Sequence, residues 1–402
     1  MITQGSRDYR RATAALALSS FLVFCNLYAP QPMLPLLAAQ FGASASEVNG
    51  IFAGASLGLS LSLLPWAIAA DALGRRRIML CSLGLSLGTA LALLLAQSLS
   101  SWIVLRVIQG IGLAGFPAVA VAYMAEEFES KAFMRAVGSY VAANSVGGIA
   151  GRLIGGGMSQ WFGIEATVWT LALLTAAGVS LVAVLLPKPQ HFRAQALRPR
   201  ALFGTLLRHL RNPYLWPVFL ISMLAFGIFI NLFSVLTFRL HGAPWHLPAS
   251  ALSLLFLCYL SGTVSASLAG HWSVRYSVPA GMALGVGCLL GGTLLTLSLQ
   301  LWVIIAGLLI NSIGFFLLHS LASAWVGKHA GEGRAMASAL YLMFYYFGSA
   351  AGGFYLLYWW GSGNWPAVVA AAVAALLLIP GLLYALRRRN LPSDLDSSRQ
   401  HC

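Results

Sequence analysis

Charge is what this chain has least of. Only 8% of its 402 residues are Asp, Glu, Lys or Arg, against about 25% in a soluble globular protein. Acid is scarcer than base, with 10 Asp and Glu against 24 Lys and Arg. No Asp or Glu lies deep in an apolar run, and none of these runs holds a metal-ligand cluster or a nucleophile with its base. Convergent groups of that kind are what an enzyme needs, so an enzyme is excluded and no metal or cofactor is expected. The five cysteines, Cys25, Cys81, Cys258, Cys288 and Cys402, are scattered and odd in number. Four fall in apolar runs and read as packing residues, which excludes a disulfide framework.

What the chain does have is hydrocarbon. It is 59% hydrophobic, and several windows of some twenty residues carry no charge. Each is long enough to cross a bilayer as a helix. The fold class is therefore all-α, a polytopic membrane protein, and the 41 Gly suit close helix approach.

The first span begins at Ala12, behind Arg7, Arg10 and Arg11. It continues through Asn26 to Pro30 without a small-residue cleavage site, so it reads as an uncleaved span. Further spans are predicted at 48–69, 78–97, 102–124, 136–158 and 166–187. A basic, Pro-containing stretch with Arg193, Arg198, Arg200 and Arg208 follows, and then spans at 213–236, 249–270, 279–298, 301–323, 336–358 and 365–386. The organisation is a six-helix bundle (1–187), a linker (188–212), a second six-helix bundle (213–389) and a polar tail (390–402).

With the N-terminus inside, every Lys and Arg falls in an inside segment except Arg106, Arg152 and Arg239. The positive-inside rule then gives twelve spans with both termini cytoplasmic. The net charge of +14 has this topological explanation, and a nucleic-acid partner is not needed. The 6+6 order suggests a repeat. Gly147, Gly151 and Gly155 of span 5 are matched by Gly348 and Gly352 of span 11, while Val274 stands where a second copy of the Asp71 loop would have its acid.

Three motifs carry a family resemblance. The seam Asp71-Ala-Leu-Gly74-Arg75-Arg76-Arg77 lies between two apolar runs. It resembles the major facilitator superfamily loop G-x-L-a-D-r-x-G-r-[kr], with Ala67, Ala69 and Ala72 as departures. Arg106-Val-Ile-Gln109-Gly110-Ile-Gly112 resembles the superfamily's R-x-x-Q-G-x-G. Gly138, Gly147, Gly151, Gly155 and Gly156 resemble the antiporter signature G-x8-G-x3-G-P-x2-G-G, with Arg152 in place of the Pro.

The resemblance implies a twelve-helix transporter of the drug:proton antiporter and sugar-efflux kind, rocking about a central site. It implies that Asp71, Gly74, Arg75, Arg76 and Glu126 form an inner gate, with Asp71 near the start of span 11. It implies that Arg106 and Gln109 organise the first bundle and link it to proton coupling. Arg106 also has a second reading, snorkelling to the nearby outer end of its span. Arg152, a second intramembrane cation, would flank a cavity with Arg106 and favour an anionic or hydroxyl-rich ligand.

The interior polar residues Asn26, Tyr28, Gln31, Asn144, Asn231, Asn311, Tyr341 and Tyr345 are cavity candidates or simple interhelical glue. Asn26 and Asn231 hold matching places in spans 1 and 7. Glu47, behind Ser44 and Ser46, reads as a helix-start acid. His319 is the one imidazole well within a span, either packed or part of a relay.

The function expected is export of a small organic solute against proton entry. The proton gradient would be the energy source, and a monomer in a bacterial inner membrane the working form. Uptake remains an alternative within transport, and a non-transporting sensor or partner protein outside it, although the short loops leave no room for a signalling domain.

Overall fold

The computed structural model describes residues 1–192, 194 and 199–389. Arg193, Arg198 and the tail 390–402 lie outside the described residues. The chain divides into two units. The first holds Met1–Arg198 and Phe233–Leu257, the second Pro199–Leu232 and Cys258–Cys402.

The first unit begins with α1 (Arg7–Tyr28), α2 (Leu34–Phe41), α3 (Ala45–Leu73), α4 (Arg75–Ala92), α5 (Leu99–Glu127) and α6 (Ser130–Leu185). Next come α7 (Pro199–Arg211), in the second unit, and α8 (Trp216–His241), which starts in the second unit and ends in the first. The short α9 (Ala249–Leu254) belongs to the first unit. The second unit continues with α10 (Tyr259–Arg275), α11 (Val278–Leu295), α12 (Leu301–His329), α13 (Arg334–Leu376) and α14 (Leu378–Arg389). The stretch 188–212 thus carries a helix. It opens on Pro199, whose fixed φ and missing N–H suit a first helical position.

Helix is the form these runs must take, since lipid offers no partner to an open backbone group. Their ends are written in the sequence. Ser44 caps α3: its Oγ accepts from the Glu47 N–H, and Glu47 Oε2 accepts from the Ser44 N–H at 2.8 Å. Glu47 is therefore the helix-start acid its position suggested. α1 stops for a different reason. In a continuing helix the Asn26 and Tyr28 carbonyls would accept from residues 30 and 32. Both are proline and carry no N–H. The chain turns through a 3-10 segment at Gln31–Met33 before α2.

Among the described residues ten helical runs are long and apolar enough to cross a membrane, two fewer than the twelve spans predicted. The two longest account for the difference. α6 has 56 residues, about 84 Å of helix, against a hydrocarbon core of about 30 Å. It is broken at Gly163 (φ 87°) into two arms. α13, of 43 residues, is broken at Gly363 and Asn364. Exposed aromatics precede each break, Trp161 and Phe162 in α6, Tyr358 and Trp359 in α13.

Backbone meets backbone where the glycines lie. A methyl group on Gly147, Gly151 or Gly155 of α6 would strike the carbonyl oxygens of Phe21 and Cys25 on α1 and of Ala29, its C-cap. One on Gly348 or Gly352 of α13 would strike those of Met223 and Gly227 on α8. The repeat read from the sequence thus appears in each unit as the same kind of contact.

Candidate functional site

Gly74 makes the first candidate possible. Its φ of 101° lies where a side chain is strained, and it lets α4 begin one residue after α3 ends. Arg75, in the first turn of α4, then faces back onto α3. Its Nη1 pairs with the Asp71 carboxylate one turn earlier. Its Nη2 and Nε donate to Glu126 Oε1 on α5 at 2.9 and 3.2 Å. Arg75 is 8% exposed, whereas the Asp71 and Glu126 side chains are 37% and 31% exposed. A desolvated cation is held between two carboxylates that keep contact with water.

Arg76 does something else. It donates to the Leu186 and Ala183 carbonyls at 3.0 and 2.9 Å, and Arg11 donates to the Val184 carbonyl at 2.8 Å. These groups close α6, whose last carbonyls have no helical donor and whose dipole favours cations there.

Glu127, which the sequence groups with Glu126 and Glu129 in one acidic turn facing the Arg75–Arg77 loop, has other partners. It is buried and accepts the backbone N–H groups of Gln190 and His191 at 3.0 and 2.9 Å. Its other oxygen lies 3.0 Å from His191 Nδ1. The available signal was helical: neighbouring residues point about 100° apart, so Glu126 and Glu127 could not share one partner.

Arg106 is 2% exposed, so it turns inward and the snorkelling reading falls. Its Nε donates to the Ile51 carbonyl at 3.2 Å, Nη1 to the Asn26 carbonyl at 3.0 Å and Nη2 to the Leu27 carbonyl at 2.9 Å. Nη1 also donates to Gln109 Oε1, one turn along α5. The Asn26 carbonyl is the one that Pro30 leaves without a donor. A cation completes the broken end of α1, and every acceptor it uses is uncharged.

Arg152 is buried too. Its Nη1 donates to the Gly148 carbonyl at 2.9 Å, and its guanidinium carbon lies 4.1 Å from the Tyr28 ring centre and 4.5 Å from that of Phe256. Its Nε donates to Gln31. α6 passes Arg152 without a break in helical geometry, as the missing Pro allows. Arg106 lines a cavity of about 30 Å³ with Asn26, Gln109 and Thr167, room for about one water. Arg152 is not in that lining.

Asn26 donates to the Leu22 carbonyl at 2.9 Å and to Thr175 Oγ1 on α6 at 2.8 Å. Asn231 repeats the pattern in the second unit, donating to the Gly227 and Ser349 carbonyls, both at 2.8 Å. Asn311 joins the Leu289 carbonyl and Thr293 Oγ1, both at 3.0 Å. Each of these amides ties its helix to a neighbour within its own unit. Asn144 is half-buried on α6. Of the signature glycines, Gly156 faces Ala249 and Ser253, and Gly138 is exposed with nothing near it. Tyr341 meets His319: its hydroxyl lies 2.9 Å from Nδ1. Thr175, Ser234 and Phe256 gave no signal in the sequence, being ordinary residues of apolar runs.

The profile of the Major Facilitator Superfamily matches residues 16–353. The chain is 34% identical over 344 residues to the Inner membrane transport protein YnfM of Escherichia coli, covering 85% of this chain and 82% of that protein. It is 28% identical over 176 residues to the Drug efflux pump JefA of Mycobacterium tuberculosis, covering 41% of this chain and 35% of that one. In fold it is similar to a crystal structure of the peptide transporter POT in complex with sulfate. The TM-score is 0.77 with 14% identity, over 94% of each chain.

Proposed function

The chain belongs to the major facilitator superfamily, and we propose that this polytopic membrane transporter exports a small organic solute against the entry of protons. Its relatives are named as transporters, not enzymes.

The observation that carries the export reading is the glycine spacing on α6. Gly147, Gly151 and Gly155, three of the five glycines that match the antiporter signature, lie directly on the backbone of α1 and its C-cap. The likeness to a named drug efflux pump over 176 residues supports the same direction. Alternating access supplies the mechanism: solute and proton each bind one state better and so bias opposite-facing states. Asp71, Arg75 and Glu126 form the inner gate. They hold the facing ends of α3, α4 and α5 together on the first unit's side of that gate. Arg106 and Gln109 hold the broken α1 in shape. The working form is a monomer in a bacterial inner membrane with both termini cytoplasmic, in line with the positive-inside pattern and with the membrane named for YnfM.

Inside-out vesicles energised to an acidic lumen test this, with a pH-quenched dye as readout. Arabinose, phenylalanine, citrate and ethidium are added in turn. One of them dissipating the gradient only when the protein is present establishes proton antiport and names the solute class. No response across the panel from folded protein counts against export by proton antiport.

A further inference from the structure

A proton-driven transporter needs a group that takes and releases a proton near neutral pH within the membrane. The acids do not supply one. Asp8, Glu47, Asp71, Glu126, Glu127, Glu129, Glu165 and Glu332 all stand at helix ends or in turns. Buried thiols and phenols titrate well above neutrality, and guanidinium stays charged. Imidazole is the side chain whose ordinary titration, at about pH 6.5, fits the task. His319 is the histidine set well inside a span, ten residues before the end of α12.

Its surroundings are built for an imidazole that changes charge. The Tyr341 hydroxyl of α13 lies 2.9 Å from Nδ1 and 3.4 Å from the His319 carbonyl oxygen. When the imidazole is neutral with its hydrogen on Nε2, the hydroxyl donates to Nδ1. When a proton arrives at Nδ1, the new N–H donates to the Tyr341 oxygen, and the hydroxyl hydrogen turns to the carbonyl. One side chain therefore partners both forms. Phe315 stacks on the imidazole at 5.8 Å and Tyr345 lies 5.0 Å from it, centre to centre. Their π faces attract a cation. His319 is only half-buried.

α13 presents Tyr341 and Tyr345, and α8 presents Phe226, stacked on Phe315 and Tyr345. α10 brings Tyr259 beside Phe316, and α11 brings Cys288 beside Gly314. Among the described residues, the charged residues of these elements and of α12 itself, Arg239, Arg275, Lys328 and Arg334, stand near helix ends, as do His241, His271 and His329, and none of these elements carries a carboxylate.

We infer that His319 binds the transported proton, with Tyr341 as its hydrogen-bond partner in both protonation states. The inference rests on the proton-coupled reading and names its site. With no counter-ion beside it, an imidazolium is costly in this packed arrangement and cheaper wherever water reaches it. Such a difference between states is what couples proton binding to a conformational change.

The probe is the proton itself. The full-length protein, labelled with ¹⁵N-histidine and held in nanodiscs, is titrated by NMR from pH 4.5 to 9, with the His319 signals assigned by His319→Gln. The expected result is a complete change of His319 from neutral to charged within that range, with the midpoint moved by Tyr341→Phe. Tyr341→Phe keeps the imidazole and covers the case in which His319→Gln fails to fold. His319 staying neutral throughout, or a midpoint indifferent to Tyr341→Phe, overturns the proposal.

The vesicle assay separates this failure from that of the export reading. If a panel compound drives proton loss with the parent protein, His319→Gln should slow it at least tenfold while solute-for-solute exchange persists. Unchanged proton loss overturns the proposal and leaves antiport standing. Silence of the parent protein counts against antiport, and with it against a transported proton at His319, even where the imidazole titrates.

Discussion

Arg152 donates from Nε to Oε1 of Gln31 at 2.7 Å, and Gln31 donates in turn from Nε2 to Oγ of Ser234 at 2.7 Å. Together with the Phe256 ring against the guanidinium, this ties the 3-10 turn after α1 and the middle of α6 to the part of the first unit supplied by residues 233–257. The Gly148 carbonyl, to which Arg152 also donates, lies four residues back. It is the carbonyl that a proline at 152 would leave without its backbone donor. A side chain here does part of what the signature's proline would undo.

Arg152→Leu should therefore destabilise the protein by about 1–3 kcal/mol, because Gln31 keeps a buried acceptor without its donor. Arg152→Pro, which restores the antiporter spelling, should cost about 3 kcal/mol or more in this straight helix. Thermal unfolding of the purified variants measures both. A proline variant as stable as its parent would show that the first arm of α6 tolerates a kink.

Arg106 and Pro30 should be coupled. Arg106→Ala strips donors from buried carbonyls at the end of α1, at about 1–3 kcal/mol for a group left unsatisfied. Pro30→Ala returns an N–H in reach of the Asn26 carbonyl. In a double-mutant cycle the loss from Arg106→Ala should shrink by about 1 kcal/mol in the Pro30→Ala background. Strict additivity would mean that the Asn26 contact contributes little.

Asp71→Asn and Glu126→Gln should each have a small effect, since the other carboxylate still holds Arg75. The double variant should lose more than the sum of the two, by about 1–2 kcal/mol. This is less than for a fully buried pair, because both acids are about a third exposed. A gate role adds a second readout: an engineered cysteine at position 126 or 71 should react faster with a water-soluble maleimide when Arg75 is replaced by Ala.

Two glycines of one signature should behave differently. Gly151→Ala drives a methyl into the Cys25 carbonyl, and overpacking of that kind costs about 1–3 kcal/mol. Gly138→Ala meets nothing within 4 Å and gains helix propensity, so it should be neutral or stabilising by about 0.5–1 kcal/mol. Equal melting shifts for the pair would contradict the packing described here.

His209 gives a pH dependence. It is buried on α7 against Gly333. Burial holds its imidazole below the ordinary histidine range, the Arg208 charge adds to this, and a Gly333 backbone hydrogen bond opposes it. A histidine with a lowered value in the folded state favours its neutral form. Docking of α7 is then full above about pH 6.5 and weakens as the pH falls through the lowered value. Amide hydrogen exchange in α7, corrected for intrinsic rates, should show less protection at pH 5 than at pH 7.5. His209→Gln should flatten that difference.

Much of this was legible in residue order. Apolar runs became helices because lipid permits little else. Asp71, Arg75 and Glu126 met because a loop signature states a three-dimensional arrangement. What stayed hidden was of two kinds. The breaks at Gly163 and Gly363 fall in the gaps the sequence left between spans, at 159–165 and 359–364, but nothing there showed that helix runs right up to them from both sides. The contacts that run on from Arg152 were hidden because Phe256, and Ser234 beyond Gln31, are far along the chain and ordinary in type. Direction is never encoded in a guanidinium: Arg106 looked like a residue near a helix end, and the absent N–H of Pro30 explains where it turns.

The breaks in α6 and α13 bear on the choice of lipid. Each is preceded by exposed aromatic rings, of the kind that settles at headgroup level. From Arg135 to Trp161 the first arm of α6 runs about 39 Å, close to the full thickness of a bilayer with its polar layers. The distance from basic end to aromatic end is thus set by covalent helix, not by an adjustable loop. Reconstitution in lipids of very short or very long acyl chains would force the arm to tilt or the bilayer to deform. Chain length should therefore be chosen as deliberately as pH or substrate.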